Sequence, residues 1–199
     1  MNTMIFSSGN AGKLREVRHF FADMGIEILS LSEVGLDGFE VEEDRDSLEG
    51  NAEKKALELF DLVGKPVFSD DTGLFVDALN GAPGVYSARY AGEGADFQAN
   101  RTKMLRELQG VPAEKRTARF KTIICYVDQD RTVHFFEGRI DGHILEAETG
   151  DQGFGYDSIF CPEGEQRSFG EMSVDEKAGF SHRVRALAAF KEFMLELRK

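Results

Sequence analysis

The chain has 199 residues, 41% of them hydrophobic and 30% charged, with a formal net charge of −12. That supplies a real core for one domain, or for two closely packed lobes, and excludes a disordered class. So acidic a surface repels a nucleic-acid backbone, whereas a small polyphosphate needs only a local cationic pocket or a bound metal. Cys125 and Cys161 have neither C-x-x-C spacing nor a histidine cluster nearby, which reads as free thiols in a reducing compartment. The start lacks a basic stretch followed by a long apolar one. No window approaches the ~18 apolar residues of a membrane span. The expectation is a cytoplasmic protein with no nucleic-acid or membrane partner.

Met4–Ser8 reads as a short apolar strand ended by Gly9-Asn10. Leu14, Val17, Phe20, Phe21 and Met24 then share one helical face, closed by Gly25. Glu27–Ser30 reads as the next strand, and this strand-helix-strand opening points to α/β. Asp37–Asp46 is acidic and poor in hydrophobic residues, hence a loop. A second helix follows over Ser47–Val63, broken by Lys65-Pro66. Val67-Phe68-Ser69 is a short buried strand that leads into an acidic turn, Ser69-Asp70-Asp71-Thr72-Gly73. Gly81-Ala82-Pro83-Gly84 is turn material, and a third helix covers Phe97–Gln109. Ala118–Val127 and Val133–Ile140 form a hairpin, with a third strand expected over His143–Ala147 and another over Phe154–Phe160. The last helix runs from Ser181 as N-cap to Lys199. The sum is a mixed sheet with flanking helices and no clear domain boundary.

Several segments carry the residue types of a nucleotide site. Ser8-Gly9-Asn10-Ala11-Gly12-Lys13 joins the first strand to the first helix. It reads equally as a phosphate cradle of backbone amides with a lysine, or as a tight turn with a solvated lysine. It is not a Walker A loop, since Leu14 stands where Ser or Thr belongs. Asp70-Asp71 places adjacent carboxylates among apolar neighbours, an arrangement that calls for a shared cation. Hard oxygen ligands favour Mg²⁺ over a solvated turn. Glu42-Glu43-Asp44 is a solvated run by itself, or the completion of that metal site. Gly153-Phe154-Gly155-Tyr156-Asp157 suits purine stacking, but taken in isolation it reads first as a β-bulge with core aromatics. Lys177 and Ser181-His182-Arg183 concentrate positive charge at a helix start, where it suits an anion or a base carbonyl.

Taken in order, these segments resemble the inosine/xanthosine triphosphate pyrophosphatase family over nearly the whole chain. The matching motifs are Ser8-Gly9-Asn10-x-Gly12-Lys13, Glu42-Glu43, Asn51-Ala52, Asp70-Asp71-Thr72-Gly73-Leu74, Gly81–Tyr90, Gly153–Asp157, Glu176-Lys177 and Ser181-His182-Arg183. The resemblance implies a single α/β domain over residues 1–199. Its elongated mixed sheet and flanking helices would form two lobes around a central substrate cleft, in a homodimer. It implies hydrolysis of ITP, dITP and XTP to the monophosphate and pyrophosphate. Ser8 to Lys13 (Ser8, Gly9, Asn10, Ala11, Gly12, Lys13) would take the triphosphate. Asp71 would be metal ligand and general base, Glu42 the second Mg²⁺ ligand with Glu43 as its neighbour, and Thr72 a substrate contact. Phe154, Gly155, Tyr156 and Asp157 would hold the base, with Lys177, His182 and Arg183 completing the pocket. Gly50 departs from the family's usual Glu and Ser158 from its usual Pro. Gly50 is the feature that favours a non-catalytic nucleotide sensor as the alternative. A pyrophosphatase for other modified nucleotides is the second alternative.

Overall fold

The computed structural model describes residues 3–197. The apolar run after Thr3 forms β1 (Thr3–Ser7), and Asn10 caps α1 (Ala11–Phe21). A single 3-10 turn extends α1 to Met24, where Gly25 takes the left-handed conformation (φ 61°) and releases the chain into β2 (Glu27–Leu29). Ser47 caps α2 (Leu48–Val63). Then follow β3 (Val67–Val76), β4 (Pro83–Gly84), α3 (Phe97–Glu107), β5 (Thr117–Val127), β6 (Val133–Ile144) and β7 (Phe160–Pro162). A one-turn α4 (Val174–Lys177) and the long α5 (His182–Glu196) complete the chain.

Among the described residues the strands form one seven-stranded mixed sheet in the order β2-β1-β3-β5-β6-β7, with β4 paired to β3. β1 lies parallel to both β2 and β3, in the register Ile5 to Leu29 and Ile5 to Val67. Parallel neighbours need crossovers, and α1 and α2 supply them. β3–β4 and β6–β7 are antiparallel. No described helix is long and apolar enough to cross a membrane.

The chain divides into two compact units. The first takes the chain up to Asp71, Thr122–Gly138 and the part from Arg183 onward; the second takes Thr72–Lys121 and Arg139–His182. The first is cored by Met4, Phe6, Val17, Phe21, Phe68, Leu187 and Phe190. Phe6 and Phe68, register partners on β1 and β3, stack at 4.8 Å, and Phe190 of α5 lies 5.5 Å from Phe68. The second is cored by Leu74, Met104, Phe120, Tyr156, Phe160 and Phe169.

Four sequence expectations need correction. Ser69–Gly73 is no turn: β3 runs without a break from Val67 to Val76, because buried cations compensate its carboxylates. Phe154–Phe160 is not a strand but a loop closed by a 3-10 turn (Asp157–Ile159), with β7 beginning only at Phe160. The third strand expected from His143 is the end of β6, which runs to Ile144. The last helix ends at Glu196, while Lys199 lies outside the described residues.

Phe68→Ala removes the ring on which three others close. It is expected to cost about 3–5 kcal/mol in denaturant titrations. Leu62→Ala, at a side chain 61% exposed, should stay within about 0.5 kcal/mol of the parent.

Candidate active site

In the first unit, the loop after β1 is organised by its own side chains. Asn10 Oδ1 accepts from the amides of Gly12 (2.9 Å) and Lys13 (3.1 Å), and Ser8 Oγ accepts from the amide of Asn10 (3.2 Å). Two of the loop amides that could serve a phosphate therefore already serve the helix cap, and a third, that of Asn10, is taken by Ser8. Gly9 and Ala11 are the exposed residues of the loop, whereas the largely buried Lys13 side chain turns in toward Asp70.

Asp70 is 1% exposed. Its Oδ1 accepts from Lys13 Nζ at 2.9 Å and its Oδ2 from Arg183 Nε at 3.2 Å. Arg183 also donates to Glu16 through Nη1. Burial alone would push the Asp70 carboxyl up; the Lys13 ammonium and then the Arg183 guanidinium overcome this and hold it well below the usual carboxylate range.

Asp71, the next residue on the strand, has a different environment. Lys55 Nζ donates to Glu43 Oε1 at 2.8 Å and lies 3.5 Å from Asp71 Oδ1. Burial raises the Asp71 pKa above its ordinary value against the pull of Lys55 and Lys13, and the charges of Glu43 and Asp70 add to the rise. Burial would lower the Lys55 pKa, but Asp71 and Glu43 outweigh it and the ammonium is held charged. Two carboxylates thus share one cation. Glu42 is placed elsewhere: its side chain is exposed, and its backbone carbonyl accepts from Lys54 Nζ at 2.9 Å. The structure brings Glu43, not Glu42, to Asp71.

Among the described residues there is no group of three or more His, Cys, Asp or Glu side chains that could cage a metal. Mg²⁺ takes one or two carboxylates and completes its shell with waters and substrate phosphates. Glu43 and Asp71 are hard oxygen donors already drawn together around a positive charge, so the residues present fit that ion.

In the second unit, the Gly153–Asp157 loop is built around Asp157. Its Oδ2 accepts from the Phe154 amide (3.1 Å) and from Lys177 Nζ (3.0 Å), with both side chains buried. Gly153 is required there: at φ 77° an added Cβ would lie 2.0 Å from Asp157 Oδ2. Tyr156 points into the core and donates to the Ser87 carbonyl at 2.8 Å. Arg101 of α3 donates to the Gly155 carbonyl at 2.8 Å, and the Phe97 ring lies 6.2 Å from that of Phe154. His182 lies flat on Phe120, with centroids 4.6 Å apart and planes 13° apart. Thr72 is half-buried at the second unit's end of β3.

The sequence grouping of Lys177, His182 and Arg183 is therefore divided. Lys177 and His182 belong with the glycine loop's unit, while the Arg183 side chain belongs with Asp70 and Glu16. Residues the sequence reading missed are Lys55, Glu16, Arg101 and Phe120. The one signal for Lys55 is its place a helical turn after Asn51, behind an acidic loop that needs a counter-charge.

Fold and site define an α/β protein that gathers ammonium groups from α1 and α2 around two carboxylates of β3, and carries glycines with aromatics on a separate loop. The chain belongs to the Ham1 family, which it matches over residues 4–193. It is 44% identical over 197 residues to the dITP/XTP pyrophosphatase of Caldanaerobacter subterraneus subsp. tengcongensis, covering 98% of each chain. It is 45% identical over 195 residues to that of Porphyromonas gingivalis, again covering 98% of each. In structure it resembles the Staphylococcus aureus Ham1 protein, with a TM-score of 0.85 and 36% identity over 99% of this chain and 100% of that one. A HAM1 protein from Coxiella burnetii matches with a TM-score of 0.86 and 32% identity, over 98% and 100% of the two chains.

The two aspartates should respond oppositely to neutralisation. The folded Asp70 pKa lies below its unfolded value, so its contribution is present above the ordinary carboxylate range and is lost as pH falls through the folded value. Asp70→Asn is expected to cost about 3 kcal/mol at neutral pH and to flatten acid denaturation. The folded Asp71 pKa is raised, so its ionised form costs stability once pH rises through that value. Asp71→Asn should leave the metal-free protein as stable as the parent, or more so. Thermal melts of both variants in chelator, from acid to neutral pH, check this.

Proposed function

We propose that the chain hydrolyses deaminated purine nucleoside triphosphates, ITP, dITP and XTP, to the nucleoside monophosphate and pyrophosphate. One observation carries this reading: Asp71 and Glu43 converge on Lys55 while Lys13 stands on the adjacent Asp70, all within the first unit. Carboxylates for a metal and ammonium groups for phosphate oxygens are what cleavage of a charged anhydride needs. The names of the relatives support the substrate class.

Mg²⁺, held by Asp71 and Glu43, would neutralise the polyphosphate and make the α-phosphorus more electrophilic. Asp71 accepts the proton of the attacking water as its oxygen bonds to the α-phosphorus. The bond to the bridging oxygen breaks, and its electron pair leaves with pyrophosphate. Lys13 and Lys55 bind the phosphate oxygens on which that charge accumulates. Asp70 keeps Lys13 in place and is itself held by Arg183. On the base side, Phe154 stacks and His182, fixed flat on Phe120, hydrogen-bonds the 6-keto edge. A buried polar group that a 6-amino purine leaves unpaired gives strong discrimination. Tyr156 and Asp157 act on the shape of the loop, since both are bonded within it or into the core.

The reading extends to a homodimer in the cytoplasm. The exposed Phe135, Leu195 and Leu197 of the first unit suit a subunit contact. Cys125 and Cys161, both buried free thiols, suit a reducing compartment.

A nucleotide panel with pyrophosphate detection tests the activity. ITP, dITP and XTP should exceed ATP, the 6-amino purine, by about 100-fold or more in kcat/KM. Chelation should abolish turnover, and Asp71→Asn should lower kcat by about 100-fold to 10,000-fold. Equal turnover of ATP, or an unimpaired Asp71→Asn, overturns the proposal; tight ITP binding without turnover points to a sensor instead.

A further inference from the structure

Glu43 sits in a segment with no regular structure: residues 39–45 form neither helix nor strand. A carboxylate on such a segment is held in one place only if its backbone is tied down. Ties of this kind come from the first two turns of α2. Asn51, fully buried, accepts the Arg45 amide on its Oδ1 at 3.0 Å. Lys54 Nζ donates to the Glu42 carbonyl at 2.9 Å and pairs with Asp44 at 3.0 Å. The segment is gripped on both sides of Glu43, and Asn51 and Lys54 stand one helical turn apart on one face of the helix.

Gly50 completes the arrangement. Glycine inside a helix costs about 1 kcal/mol against alanine, and here the cost has a reason. A Cβ at Gly50 would lie 2.9 Å from Arg45 Cβ, 3.2 Å from Arg45 Cγ and 3.2 Å from Ser47 Oγ. The nearest of these is the root of the Arg45 side chain, so relief would require the backbone of the acidic segment to move. The absence of a side chain at position 50 is what lets the segment lie against the helix.

We propose that Gly50, Asn51 and Lys54 form a seat on α2 that positions residues 42–45, so that the Glu43 carboxylate is presented to Lys55 and Asp71. They are positioning residues: none need touch metal or nucleotide. The inference rests on the proposed function only in taking Glu43 as a metal ligand.

The test uses the full chain and Mn²⁺ as the probe, with binding to the nucleotide-free protein followed by electron paramagnetic resonance. Groups that orient metal ligands are worth about 10-fold to 100-fold in affinity. Lys54→Met should weaken Mn²⁺ binding by about 10-fold and speed amide exchange in residues 40–47, while Lys54→Arg restores both. Gly50→Ala separates the seat from helix propensity: alanine favours the helix, yet the seat requires faster exchange in the segment and weaker Mn²⁺ binding. At saturating Mg²⁺ the variants should recover most of kcat, since the ligands themselves are intact. Parent-like Mn²⁺ affinity in both Lys54→Met and Gly50→Ala overturns the proposal, as does loss that Lys54→Arg fails to repair. A parent chain that binds no Mn²⁺ defeats the metal reading by itself. Exchange then decides the seat, and an unchanged rate in Lys54→Met overturns it.

Discussion

Two adjacent carboxylates on a buried strand set the terms for the first unit. Asp70 and Asp71 cannot both remain charged in the core without cations, and the fold answers each differently. Asp70 receives two full charges, from Lys13 and Arg183, and becomes a fixed anion. Asp71 shares the single Lys55 ammonium with Glu43 and stays reluctant to ionise. Lys13 and Arg183 stand in the first turns of α1 and α5, where the macrodipole disfavours a cation. Their placement is paid for by Asp70. A single strand position thereby ties the starts of two helices to the centre of the sheet.

The second unit shows the same separation between residues that hold and residues that present. In Gly153–Asp157, the side chains that look chemically most equipped are turned inward. Asp157 bonds the Phe154 amide and Lys177, and Tyr156 bonds the Ser87 carbonyl. They fix the loop so that Phe154, half-buried beside Phe97, is what it offers. His182 is fixed by a different device, a flat stack on Phe120. An imidazole held in this way would lose little rotamer freedom on binding the base edge proposed for it.

Much of the fold was legible in the sequence because local signals were consistent. Apolar periodicity with Asn10, Ser47 and Gly25 at the ends gave α1 and α2 to within a few residues, and β-branched runs gave β5 and β6. The failures share a cause. Asp70-Asp71 and the glycine pair around Phe154 were judged by local polarity, which suggested a turn at one and a strand at the other. Tertiary partners reversed both: Lys13, Lys55 and Arg183 allow β3 to continue, and Asp157 with Lys177 curls the glycine segment. In the site, residue types were readable but pairings were not. Nothing local distinguishes Glu42 from Glu43, or says that Arg183 turns toward Asp70 while His182 lies on Phe120.

Gly50 is where the local and tertiary readings differ most in consequence. As a departure from the family's usual Glu it suggests a lost contact and hence lost turnover, the main support for a non-catalytic sensor. In the structure, Arg45 Cβ and Cγ occupy the space a side chain at Gly50 would need, and Asp44 reaches Lys54 from the same segment. Gly50 and Arg45 therefore fit together, the loop side chain filling the volume that the helix leaves open. Helix propensity alone would remove such a glycine, so its presence marks a position where close approach outweighs the roughly 1 kcal/mol that alanine offers. In the Glu43–Lys55–Asp71 cluster a half-buried and a buried carboxylate are drawn to one ammonium against their mutual repulsion, an arrangement that a chain with no use for a cation there has no physical reason to keep.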